Sequence, residues 1–280
     1  MNSLAQYEKV CLLASKHTTR SYSTSFSLGI RSLDRRFHDP IHAIYGFVRF
    51  ADEIVDTFHD FDKSALLRRF REDTYRAIDE KISLNPILHS FQNVVNRYGV
   101  ERELYDTFLD SMAMDLQDST HDQCSYETYI LGSAEVVGLM CLRVFCEGDD
   151  AYYQQLKGPA MRLGAAFQKV NFLRDLKDDH HNLGRTYFPG VDVKCMTATD
   201  KRSIESDIQA DFDAALLGIR KLPKGARLGV YMAYVYFLNL FRKIKALPTE
   251  RILVERVRVR NRRKLALLTT SYLRHSLGLL

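Results

Sequence analysis

Apolar residues return every three or four positions along most of this chain, which is the spacing of helices that bury one face. Punctuation marks divide the pattern into segments. Asp39-Pro40 reads as an N-cap followed by a first-turn proline, and Asn85-Pro86 repeats that device before a segment ending at Gly99. Asp62 is placed to cap a helix over 63–82. Ser125 is placed to cap one running towards Gly148. Further helices are expected near 3–19, 101–117, 151–180, 200–220 and 226–246. Residues 181–199, with Phe188-Pro189-Gly190, read as a loop. The alternation Arg256-Val257-Arg258-Val259-Arg260 imitates a strand but has no partner strand, so it reads as helix or extended connection. No strand–helix alternation and no linker divides the chain. The expected fold class is therefore all-α, in one domain spanning 1–280.

Two helical segments carry an unusual polar pattern. From Tyr45 to Asp56, at about 100° per residue, Tyr45, Arg49, Asp52 and Asp56 fall within about 60° of one another. Ile44, Val48, Ala51 and Val55 crowd one flank, and Phe47, Phe50 and Ile54 occupy the far side. A helix so apolar is expected to be buried, with its narrow polar stripe lining a cavity. Gln168, Asn171, Asp175 and Asp179 form a second stripe, flanked by Val170, Phe172 and Leu173. Ionised carboxylates away from water need compensation. Arg49 and Arg174 supply part of it. A divalent cation bound through oxygen atoms and shared with substrate phosphates would supply the rest. One such stripe is more often a solvated, salt-bridged face; two on apolar helices point to a metal-diphosphate site.

Composition narrows the picture. Six prolines and 14 glycines in 280 residues favour long helices. Five cysteines without a Cys-x-x-Cys pair make no disulfide framework. No signal-peptide pattern opens the chain, and the longest apolar run, Leu228 to Phe241, is too short to span a membrane. These features imply a cytoplasmic protein. The net charge of +5 suits anionic ligands. The basic run from Arg251 to Lys264 reads first as a solvated face and second as a peripheral membrane contact. A nucleic-acid partner is not expected.

With its two stripes, the chain resembles the squalene/phytoene synthase family of head-to-head isoprenyl diphosphate synthases. Tyr45-x-x-x-Arg49-x-x-Asp52-x-x-x-Asp56 is similar to that family's first aspartate-rich motif. Gln168-x-x-Asn171-x-x-Arg174-Asp175-x-x-x-Asp179 is similar to its second, and Gly184-Arg185-Thr186-Tyr187-Phe188-Pro189 to the segment that follows. The wording around Phe50 to Asp56 is nearest to bacterial phytoene synthases. The resemblance implies an all-α isoprenoid-synthase bundle around a central cavity. Asp52, Asp56, Asn171, Asp175 and Asp179 would bind Mg²⁺, or Mn²⁺ in its place. Tyr22, Ser23, Tyr45, Arg49, Gln168, Arg174 and Arg185 would lie near diphosphates, and Tyr129, Tyr187 and Tyr236 would line the cavity. The implied reaction joins two geranylgeranyl diphosphates, through a cyclopropyl diphosphate, to phytoene. The alternatives are squalene or dehydrosqualene synthesis from farnesyl diphosphate, the former with NADPH, and a remote non-catalytic scaffold. The chain departs from the family pattern at Ile130 to Glu135 and at Ser111, both expected at the cavity wall.

Overall fold

The computed structural model describes residues 3–116, 122–182, 188–191, 196–253, 257 and 271, with side chains of 177–182 left aside. Among the described residues every regular element is helical: α1 (Ser3–Tyr22), α2 (Thr24–Arg31), α3 (Arg35–Asp56), α4 (Lys63–Glu80), α5 (Pro86–Tyr98), α6 (Arg102–Met114), α7 (Gln123–Ile130), a π-helical turn (Leu131–Glu135), α8 (Val136–Cys146), α9 (Asp150–Asn182), α10 (Ala198–Lys221), α11 (Lys224–Lys245) and α12 (Thr249–Ile252). The expected all-α class holds.

Local chemistry accounts for the boundaries. The Asn85 side chain accepts from the backbone N–H of Ile87 and Leu88, Pro86 takes the first turn, and Gly99 closes α5 at φ 63°, a conformation glycine adopts without a Cβ penalty. Asp62 caps α4 through the Ala65 N–H. Two expected caps lie elsewhere. α3 starts at Arg35, capped by Asp34, so Pro40 sits inside it. Its missing N–H costs the helix the bond to the Arg36 carbonyl, and the chain continues because the rest of the apolar face is buried. Likewise Asp122, not Ser125, caps α7; its carboxylate accepts from the Ser125 N–H at 2.8 Å. The expected loop at 181–199 is helical at both of its ends. α9 reaches Asn182, and α10 opens at Ala198 behind a Thr197–Asp200 capping box. Most of the basic run beyond Arg251 lies outside the described residues.

α3 is packed through aromatic rings. Phe47 stacks on Phe91 at 3.9 Å between centroids and touches Phe70 and Phe108. Not all of its far side is covered, however: Phe50 is 38% exposed. α9 is roughly 50 Å long and packs against α8 and α10. The Asp149 side chain caps its start by accepting from the Tyr152 N–H. Arg143 of α8 fixes the same end, paired with Glu101 and Asp150 and lying over the Tyr153 ring. A second apolar segment, Gln123–Cys146 through the π turn, is by length and composition able to cross a membrane. Here 61% of its apolar window is buried inside the protein, so it is a central helix of the core.

Candidate active site

Between α3 and α9 lies a cavity of about 680 Å³, which residues from α2, α6, α7, α8, α10 and α11 complete. The volume is that of a small-molecule site. Both polar stripes line it: Tyr45, Arg49, Asp52 and Asp56 from α3, and Gln168, Asn171, Arg174 and Asp175 from α9. Helical periodicity had placed all of these but Arg174 on common faces; Arg174 was expected near the site from the family resemblance. The Asp179 side chain, Arg185 and Tyr187 lie outside the described residues.

Arginines hold the carboxylates. Arg49 donates to Asp52 at 2.6 Å and pairs with Glu53 one turn on. Arg174 grips Asp175, with Nε 3.0 Å from Oδ1. Glu53 was missed in the sequence, although its i,i+4 spacing from Arg49 was a usable signal. Two buried atoms at the site have no hydrogen-bond partner: Arg49 Nε, a donor, and Asn171 Oδ1, an acceptor. Polar atoms left so inside a protein are costly unless something else satisfies them. The donor suits a phosphate oxygen, and the acceptor, beside carboxylates, suits a hard cation. Among the described residues no three His, Cys, Asp or Glu are grouped to hold a metal by themselves.

Tyr22 and Ser23 do not line the cavity but adjoin residues that do. The Arg49 guanidinium lies 4.3 Å from the Tyr22 ring centroid, a cation–π contact that steadies the arginine. Ser23 caps α2 through the Phe26 N–H. Burial pushes the Tyr45 phenol above its ordinary pKa, against the pull of Arg49. Tyr129 and Tyr236 line the cavity as expected. Tyr129 donates to Asp115 Oδ2 at 2.8 Å. Asp115 itself lines the cavity, a position that the sequence could not reveal because the two residues come from different helices.

The departures from the family pattern fall partly on the wall. Ser133 and Ala134 line the cavity, whereas Ser111 packs behind it, buried, with its hydroxyl donating to the Phe108 carbonyl at 2.6 Å. Ser111 and the Thr107 carbonyl press on Gly132, where a Cβ would come within 2.5 Å of Ser111 Cβ. This contact helps to seat the π turn. Inward from the stripes the lining becomes apolar, with Phe167, Val137, Leu163, Leu142, Leu156 and Ile219.

A carboxylate-and-arginine mouth over a deep apolar hollow, built by helices alone, can hold a diphosphate and shelter its hydrocarbon chain. The squalene/phytoene synthase family model matches residues 19–263. The chain belongs to the squalene/phytoene synthase family. It is 30% identical over 201 residues to a presqualene diphosphate synthase of Sinorhizobium fredii, covering 68% of each chain. It is 29% identical over 236 residues to a phytoene synthase of Rhodobacter capsulatus, covering 76% of this chain and 67% of that one. A dehydrosqualene synthase crystal structure in complex with a ligand superposes with a TM-score of 0.81, at 20% identity, over 96% of this chain and 98% of the other. Members of this family are head-to-head prenyltransferases.

Proposed function

We propose that the protein is a phytoene synthase, condensing two geranylgeranyl diphosphates through a cyclopropylcarbinyl diphosphate. The observation that carries this reading is the depth of the apolar cavity behind the carboxylates. Along α9 its lining runs from Asp175 to Leu156, roughly 28 Å at helical rise. A hollow that deep suits long donors.

The residues divide the work. Asp52, Asp56, Asn171, Asp175 and Asp179 would hold Mg²⁺, or Mn²⁺ in its place. When bound, the ion neutralises charge on the leaving pyrophosphate. Arg49 and Arg174 turn from their carboxylates to phosphate oxygens, with Arg49 Nε already unpartnered. The allylic C–O bond breaks, and pyrophosphate leaves with the electron pair. The second donor's double bond attacks the cation, and a proton is lost as the cyclopropane closes. Tyr129, held by Asp115, stands in the cavity wall where it can orient that proton's acceptor. A second ionisation, rearrangement and proton loss give the triene centre of phytoene. Tyr236, Phe167 and Phe237 keep water from the cations.

A second reading stops at the C30 cyclopropyl diphosphate made from farnesyl diphosphate. The 30% identity to a relative named presqualene diphosphate synthase favours it. NADPH enters only if the product is squalene. Purified protein, Mg²⁺ and each donor, with products identified by mass, separate the readings. The proposal expects a C40 hydrocarbon from the C20 donor, abolished by a chelator. A C30 diphosphate from the C15 donor, with the C20 donor inert, would overturn it.

A further inference from the structure

α6 and the segment formed by α7 and the π turn meet at two buried points. At one, Ser111 packs on Gly132, where a Cβ would fall 2.5 Å from Ser111 Cβ and 2.6 Å from the Thr107 carbonyl oxygen. At the other, Asp115 accepts from the Tyr129 hydroxyl at 2.8 Å. The pairing is antiparallel: one turn forward on α6, from Ser111 to Asp115, matches the step back from Gly132 to Tyr129. The π turn itself is closed by the Val136 N–H on the Leu131 carbonyl. At about 100° per residue, an unbroken α-helix would point Tyr129 and Phe145 roughly 160° apart. Both line the cavity, with Cys141 between them in the chain. A π turn advances less per residue, so it swings Tyr129 back towards the face that Cys141 and Phe145 present. Ser111 and Gly132 both lie where the chain departs from the family pattern. They fit as a pair, the side chain on α6 filling the space that the glycine leaves.

We propose that Ser111 and Gly132 are positioning residues for Tyr129. Their contact seats the π turn on α6, and the seated turn holds the phenol in the cavity wall with its hydroxyl on Asp115. Spreading the seat moves the turn off α6, so the Tyr129–Asp115 bond lengthens and the phenol leaves the place from which it orients the proton's acceptor. Arg49, Arg174 and the carboxylates stand on α3 and α9 and keep their positions, so diphosphate binding is spared. The inference rests on the role given to Tyr129 in the reaction above.

The experiment is a double-mutant cycle on the full chain, with Mg²⁺ and whichever of the C15 and C20 diphosphates the parent converts. Gly132→Ala and Tyr129→Phe are each expected to lower kcat on the order of 10²-fold with KM unchanged. Gly132→Ala is expected to cost nothing further in the Tyr129→Phe background, because its effect passes through the phenol. Adding Ser111→Gly to Gly132→Ala removes two of the three close approaches and should recover about tenfold in kcat. If Gly132→Ala does not fold, Ser111→Thr takes its place in the cycle, adding one methyl to the same contact from α6. Losses that multiply in the double variant would overturn the proposal, since a merely structural defect acts whether or not the hydroxyl is present. Parental kcat in folded Gly132→Ala, or in Tyr129→Phe, would overturn it too. A parent that converts neither diphosphate would overturn the prenyl-diphosphate reading, and this role with it.

Discussion

The two acidic helices present similar stripes to one cavity but differ in what braces them. α3 rests on rings: Phe47 is fully buried against Phe91, Phe70 and Phe108. α9 buries Val170 and Leu173 and adds charge. Lys169, next to Gln168 but pointing away from the cavity, reaches Asp207 at 2.5 Å and Asp211 at 2.7 Å on α10. Asp211 is 1% exposed and also meets Arg162. The fronts differ as well. α3 offers an unpartnered donor on Arg49, and α9 offers an unpartnered acceptor on Asn171. Each stripe is thus a positioned surface on a rigid helix, and the pair is complementary rather than duplicated: one better suited to phosphate, the other to a cation.

Breaking each support tests the contrast. Phe47→Ala removes the ring at the centre of the stack and should cost about 3–5 kcal/mol in denaturant unfolding. Lys169→Met leaves Asp211 buried with a single exposed arginine and should cost about 3 kcal/mol. High salt should change little for either parent pairing, because ring packing is uncharged and the ion pair is buried. A loss below 1 kcal/mol in either variant would remove that helix's support from the account.

Acid should weaken the α3 side. His42, on α3, is buried with its ring nitrogen 2.9 Å from Thr19 Oγ1 on α1. Burial first, then Lys16 and Arg20 on α1 and His38 on α3, pull its pKa down to about 4, while Asp39 opposes them. The folded protein therefore binds this proton less readily than the unfolded chain does. The stability that neutral His42 provides is complete above about pH 6.5 and is lost as pH falls towards 4. Unfolding midpoints measured across that window should fall, and less steeply in His42→Gln. Equal slopes in the two proteins would contradict this. The smallest expected effect concerns Arg49. Tyr22→Leu removes the ring under its guanidinium and should weaken diphosphate binding by about 0.5–1 kcal/mol without changing the product.

What could be read from the sequence follows from what is local. The stripes were legible because one helical period fixes which residues share a face, and cavity walls need no more than that. Asn85, Pro86 and Gly99 were legible because cap, first turn and stop lie within the helix they define. The same logic failed at Asp39-Pro40, where the real cap, Asp34, lies five residues earlier and tertiary burial carries the helix through proline. The π turn at Leu131–Glu135 left no periodic trace; its seat depends on Ser111 and Thr107 of α6. Tyr22 and Ser23 were named from the family resemblance, since no helical spacing connects them to either stripe.

The central claim is that both stripes act on the same leaving group. Pyrophosphate release from geranylgeranyl diphosphate with Mg²⁺, in Asp52→Asn and Asp175→Asn, tests it most directly. The account predicts that each variant releases pyrophosphate on the order of 10²–10³ times more slowly than the parent chain. Each should also unfold at the parent's temperature. A variant that folds normally and releases pyrophosphate at the parent's rate would contradict it.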